Sequence, residues 1–163
     1  MDLLDKFIQY LTRLLTWLAG CVLGVMIILT CANIFLRSVW IPVKGTFELT
    51  GYCGAVTMAF ALGMTQLKKG HIAVDILVLK FSEPIQKVLA GVNYLICALF
   101  FALISWKIAH YATTLCETGE LTETLRIIYY PFTYCVAFGC ATLSLVFLTE
   151  FLKILFIRME NEN

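Results

Sequence analysis

Residues 63–77 read GMTQLKKGHIAVDIL, and the fold turns on this stretch. An apolar run ends at Leu67; Lys68, Lys69, Gly70 and His71 follow, and then a shorter apolar run that carries Asp75. A charge at the centre of a membrane helix costs about 2.5–3.5 kcal/mol even on the mild insertion scale, so the two lysines mark where a span meets water. The run after them, residues 71–81, is too short to cross a bilayer and reads as an interfacial or re-entrant segment between Lys68–Lys69 and Lys80. His71 and Asp75 stand four apart and touch if the piece is helical. A metal site needs more ligands than that. Lys68, Lys69, His71 and Asp75 are therefore read as a structural, headgroup-facing motif on the cytoplasmic side, with a proton relay as the alternative.

The composition agrees with a membrane protein. Of 163 residues, 61% are hydrophobic and only 14% are charged, against about 25% charged in a soluble domain. Mean hydropathy is +0.88. A net charge of +1 offers no basic patch for nucleic acid. Of the seven cysteines, only Cys116 lies in a polar stretch; the others fall in apolar runs, where a thiol behaves as a small hydrophobe. With no C-x-x-C, neither a zinc site nor a disulfide framework is indicated.

Outward from the central stretch, four spans are expected in one all-α membrane domain covering residues 1–163. Residues 1–13 carry Leu3, Leu4, Phe7, Ile8 and Leu11 on one helical face, with Asp5, Lys6, Gln9, Thr12 and Arg13 on the other. That pattern suits an interfacial helix, or one docked on a partner. Residues 14–36 form the first span, free of charge and long enough to cross a core of about 30 Å with some tilt. Pro42 and Gly45 break the chain before the second span, residues 48–67, where Glu48 suits a helix N-terminus. Arg37 and Glu48 meet the same membrane surface, either as an ion pair or as separately hydrated anchors. Gly51, Gly54, Ala55 and Gly63 make the second span rich in small residues, which let helix backbones approach closely in lipid. Ser82, Glu83 and Pro84 read as a helix start ahead of the third span, residues 88–106. Residues 112–126 form the most polar loop, with Glu117, Glu120 and Glu123. The fourth span covers residues 127–149, with Pro131 in its first turn, and residues 150–163 form a cytoplasmic tail.

Lysine and arginine set the orientation. Lys6, Arg13, Lys68, Lys69, Lys80, Lys87, Lys153 and Arg158 share one side; Arg37, Lys44, Lys107 and Arg126 share the other. The richer side is cytoplasmic by the positive-inside bias, which places both termini inside and the acidic loop outside with Cys116.

Chemistry is sparse. There is no nucleotide-binding loop, zinc signature or G-x-S-x-G. His71 and His110 each lie near a span end, a poor arrangement for a bis-histidine haem. No span carries a mid-membrane acid or base of the sort that an ion-moving transporter uses. The chain reads as a non-enzymatic scaffold for another subunit. A membrane anchor for an electron-transfer enzyme and a self-sufficient small channel or transporter remain open as alternatives.

Three features in order carry a resemblance that spans nearly the whole chain. Asn33 and Arg37 close the first span and Glu48 opens the second. Gly63 precedes Lys68, Lys69, Gly70, His71, Ile72 and Asp75. Tyr130 and Pro131 precede Gly139 in the fourth span. In these the chain resembles the small integral-membrane subunit of tripartite ATP-independent periplasmic (TRAP) transporters, the DctQ-like family. It departs from the family around Glu48, where GTFELT stands in place of a tryptophan and second acid, and at Ala137, where a second proline is common. The resemblance implies sodium-coupled secondary uptake of a carboxylate-bearing solute, such as a C4-dicarboxylate, sialic acid or another organic acid, across a bacterial inner membrane. A large DctM-like permease subunit would carry the solute and sodium sites, leaving this chain without cofactor or substrate site. A periplasmic DctP-like binding protein would deliver the solute. The small subunit would enlarge the scaffold within the lipid bilayer and help dock the binding protein, with Arg37, Lys44, Glu48, Glu117, Glu120, Glu123 and Arg126 as candidate contacts.

Overall fold

The computed structural model describes residues 2–39, 44–70 and 82–161. Among these residues the chain is four helices: α1 (Asp2–Val39), α2 (Thr46–Leu67), α3 (Glu83–Thr118) and α4 (Tyr130–Asn161). All four are long and apolar enough to cross a membrane. The segment 71–81, with His71 and Asp75, lies outside the described residues, as do Trp40 and Pro42.

The helices pack in the order α1, α2, α4, α3. The main contacts run between α1 and α2, between α2 and α4, and between α4 and α3, while α1 only grazes α4. This is a thin layer, and its outer members stay largely uncovered. Only 11% of the most apolar stretch of α1 and of α3 is buried, against 39% for α4. Ile27, Ile28, Ile34 and Phe35 of α1 and Ile96, Leu99, Phe100 and Leu103 of α3 are exposed. Side chains of this kind face lipid or another membrane chain, where their exposure carries no hydrophobic penalty.

Two apolar clusters hold the layer together. Leu15, Ala19, Val56 and Phe60 join α1 to α2, with Phe132, Cys135 and Val136 of α4 against them. Ala98, Leu143 and Phe147 join α3 to α4, with Tyr94 and Phe101 packed alongside. Serines add cross-helix bonds: Ser105 Oγ donates to the Ala137 carbonyl and Ser144 Oγ to the Ala98 carbonyl, each at 2.8 Å. Small residues set the closest approaches. A Cβ on Gly139 would lie 2.6 Å from the Ala59 carbonyl oxygen, so α2 and α4 cross where neither carries bulk. Gly63 is buried, and a Cβ there would meet the Thr12 methyl at 3.0 Å.

Local structure departs from the sequence pattern at two places. Residues 2–13 do not form a separate piece; they continue into the first span as one helix. Their inward face is Ile8, Thr12 and Leu15, whereas Leu3, Leu4 and Phe7 are exposed. Thr12 belongs to the buried face, not the polar one. Its hydroxyl donates to the Ile8 carbonyl at 2.7 Å within its own helix, and only its methyl needs a neighbour. Likewise, the polar stretch from residue 112 is helical as far as Thr118. Ala112 and Leu115 are buried there, and Thr113, Thr114 and Thr118 bond carbonyls one turn back. Gly119 then stops the helix, at φ 65° with its N–H on the Leu115 carbonyl.

Candidate functional site

At the end of the layer where α1 and α3 finish and α2 and α4 begin, residues 119–129 form a loop tied down from within. Thr122, 7% exposed, is its centre. Its N–H donates to the Ile127 carbonyl, its carbonyl accepts from the Arg126 N–H, and its Oγ1 accepts from the Ile127 N–H, at 3.0, 3.1 and 3.1 Å. Leu121 and Ile128 pair as an antiparallel bridge, and Arg126 turns the chain with a φ of 51°.

Glu48 fastens this loop to α2. Its carboxylate accepts from the backbone N–H of Thr124 at 2.7 Å and of Leu125 at 3.2 Å. These two donors sit at a sharp turn where no described carbonyl meets them, and an ionised acceptor makes the stronger kind of bond. Leu125 in turn folds over Gly45, which has a φ of 77°; a Cβ at Gly45 would run into the Leu125 side chain. Aromatic rings close the other flank. Tyr52 stacks between Tyr129 and Phe132, with ring centroids 5.5 and 5.6 Å apart. The Tyr129 hydroxyl donates to Glu120 at 2.7 Å, and this carboxylate pushes the phenol well above its usual pKa.

The structure brings together only part of the expected set. Glu48 and Glu120 are engaged in holding the loop. Arg37, Lys44, Glu117, Glu123 and Arg126 are exposed at the same end. Among the described residues the ion pairs run from Lys153 to Asp5 and Glu150, so Glu48 meets the loop backbone and not Arg37. Thr122 and the Tyr52–Tyr129–Phe132 stack are absent from the expected set. Their roles depend on the loop returning onto α2, which no local pattern announces.

At the opposite end, Lys68 and Lys69 are exposed just beyond α2, with Lys69 at a φ of 50° and the Gly70 N–H on the Thr65 carbonyl. Lys153 Nζ lies 3.1 Å from Asp5 and 2.9 Å from Glu150, joining the start of α1 to the end of α4. Both ends of the described chain therefore lie at one face of the layer. Of the four small residues read as packing positions, Gly63 meets Thr12 and Thr142 within the chain, whereas a Cβ on Gly51 or Gly54 would meet nothing within 4 Å and Ala55 is exposed. Among the described residues no group of three or more His, Cys, Asp or Glu is placed to hold a metal ion.

Comparison with known proteins gives one family. The family model described as "Tripartite ATP-independent periplasmic transporters, DctQ component" matches residues 26–156. No curated protein and no solved structure matches the chain.

Proposed function

From the premise that the chain belongs to the DctQ family, the small permease component of TRAP transporters, we propose that it supports sodium-coupled uptake of a carboxylate-bearing solute without touching the solute. In this reading a large permease subunit holds the solute and sodium sites, and a periplasmic binding protein delivers the solute. Membership of a tripartite system displaces both the electron-transfer anchor and the lone channel as readings of the residues.

The observation that carries the scaffold role is the uncovered surface of the layer. A four-helix chain with most of α1 and α3 exposed, and with Gly51, Gly54, Ala55 and Met58 open along one stripe of α2, presents large apolar faces for another membrane protein. Small residues on such a face permit close helix approach. The loop held by Glu48 supplies the second half of the role. It presents Glu123 and Arg126 on a shaped surface, with Glu117 of α3, Arg37 and Lys44 nearby, and is suited to a charged water-soluble partner. The lysine and arginine distribution orients this loop to the periplasm and both termini to the cytoplasm of a bacterial inner membrane.

Co-purification tests the assignment. The tagged chain, extracted in mild detergent, is expected to bring down one large polytopic membrane protein in fixed ratio. A homo-oligomer with no such partner would overturn it.

A further inference from the structure

The end of the layer opposite the loop holds a groove of about 510 Å³ that the transport role does not use. From α1 it is lined by Lys6, Gln9, Tyr10 and Arg13, and from α2 by Met64 and Leu67. Glu150 and Lys153 of α4 close it. Charge within it is unevenly satisfied. Lys153 holds Asp5 and Glu150 in ion pairs. Lys6 and Arg13 are exposed and form no ion pair with a described side chain. The exposed Lys68 and Lys69 follow Leu67 directly. Among the described side chains, the groove thus offers two cations that no ion pair engages, and hydrogen-bonding groups above an apolar floor, at the depth where charged residues end and apolar spans begin.

A second feature continues it. The next turns of α1 on the same face, Thr16, Trp17, Gly20 and Cys21, line an open trough of about 360 Å³ that is almost wholly apolar. At 1.5 Å per residue, it carries the face about 12 Å from Arg13 towards the membrane interior. Gly20 has nothing within 4 Å of where its Cβ would be, and Trp17 is 73% exposed beside it. A cationic pocket at the membrane surface leading into an apolar channel in the hydrocarbon has the two-part chemistry of a phospholipid.

We propose that Lys6 and Arg13 bind the phosphate of an anionic phospholipid headgroup, with an acyl chain lying along Trp17, Gly20 and Cys21. The reading rests on the helices spanning a membrane and not on the transport role, so each can fail without the other. Basic pockets between membrane helices are known to select anionic headgroups. Zwitterionic lipids lack the net charge that Lys6 and Arg13 favour.

Native mass spectrometry of the full chain in mild detergent tests this, with added phosphatidylglycerol or phosphatidylcholine of identical acyl chains. Phosphatidylglycerol should stay bound and phosphatidylcholine should not. The Lys6→Gln, Arg13→Gln double variant should weaken phosphatidylglycerol binding by about thirty-fold, given about fivefold for each surface cation. The Lys6→Arg, Arg13→Lys pair should keep it. Gly20→Leu fills the trough and should weaken a long-chain phosphatidylglycerol while leaving a short-chain one unaffected. Equal retention of the two lipids, or binding that survives the double glutamine variant, would overturn the headgroup site. An indifferent Gly20→Leu variant would overturn the course of the acyl chain.

Discussion

Glu48 illustrates how one residue can serve two structures. Its position in the first turn of α2 already favours an anion, because the helix N-terminus carries partial positive charge. The same carboxylate then reaches the Thr124 and Leu125 N–H groups, separated from it by more than seventy residues of chain. Glu48→Ala removes the carboxylate that those amides donate to, so they should exchange with deuterium faster while the amides in the middle of α4 stay protected. Glu48→Gln, which keeps one acceptor oxygen, should fall between the two. Tyr129 gives a pH signature at the same loop. Its folded-state pKa lies above the unfolded value of about 10, so its bond to Glu120 contributes fully below that value and is lost as pH rises through the higher one. Ultraviolet titration should show a late-ionising tyrosine component, and Glu120→Gln should move part of it to lower pH.

At the scale of the helix, small residues divide into those used within the chain and those left open. Gly139 belongs to the first kind. A side chain there collides with the backbone of Ala59, which cannot move aside as a flexible side chain could. Gly139→Leu should destabilise the α2–α4 contact by about 1–3 kcal/mol or more, the usual range for overpacking, and lower the thermal midpoint in detergent. Gly51 belongs to the second kind, with open space around it. Gly51→Leu should leave that midpoint unchanged and instead reduce co-purification of the large subunit. If both variants behave alike, the open stripe of α2 has no partner. The long α1 shows why helix length follows packing as well as polarity. Asp5 and Thr12 remain helical because Lys153 and Gly63 meet them from α4 and α2.

For the whole molecule, the thin order of helices leaves one polar loop at one end and a charged groove at the other. Cys116, exposed near the loop end of α3, reports which end faces out. With Cys116 as the single remaining cysteine, a membrane-impermeant maleimide applied from the periplasmic side should label it; labelling only after the inner membrane is opened would reverse the orientation. Reversing charge with Glu117→Lys and Glu123→Lys should weaken solute uptake in cells, because both residues are exposed at the loop end, while the helices stay folded and membrane-inserted. Unchanged uptake would remove those residues from the docking role.

Much of this protein is legible in the order of its residues. Runs of apolar residues long enough for a bilayer, ended by charges, require helices, because an isolated segment in lipid can satisfy its backbone only within itself. That logic yields four spans and both chain ends on one side without any tertiary contact. It also singles out Glu48, since an acid at a span entrance is conspicuous. The neighbour order α1, α2, α4, α3 is different in kind. All four spans are apolar around most of their circumference, so periodicity does not say which face meets which helix. Shape decided it: Gly139 against Ala59, Gly63 against Thr12, and serine hydroxyls reaching foreign carbonyls. The loop around Thr122 and the Asp5–Lys153 pair likewise exist only because distant segments are brought together. Lipid makes helices from local sequence, but it attracts apolar surfaces as well as protein does, and so only steric fit and the pairing of polar groups choose among the possible assemblies.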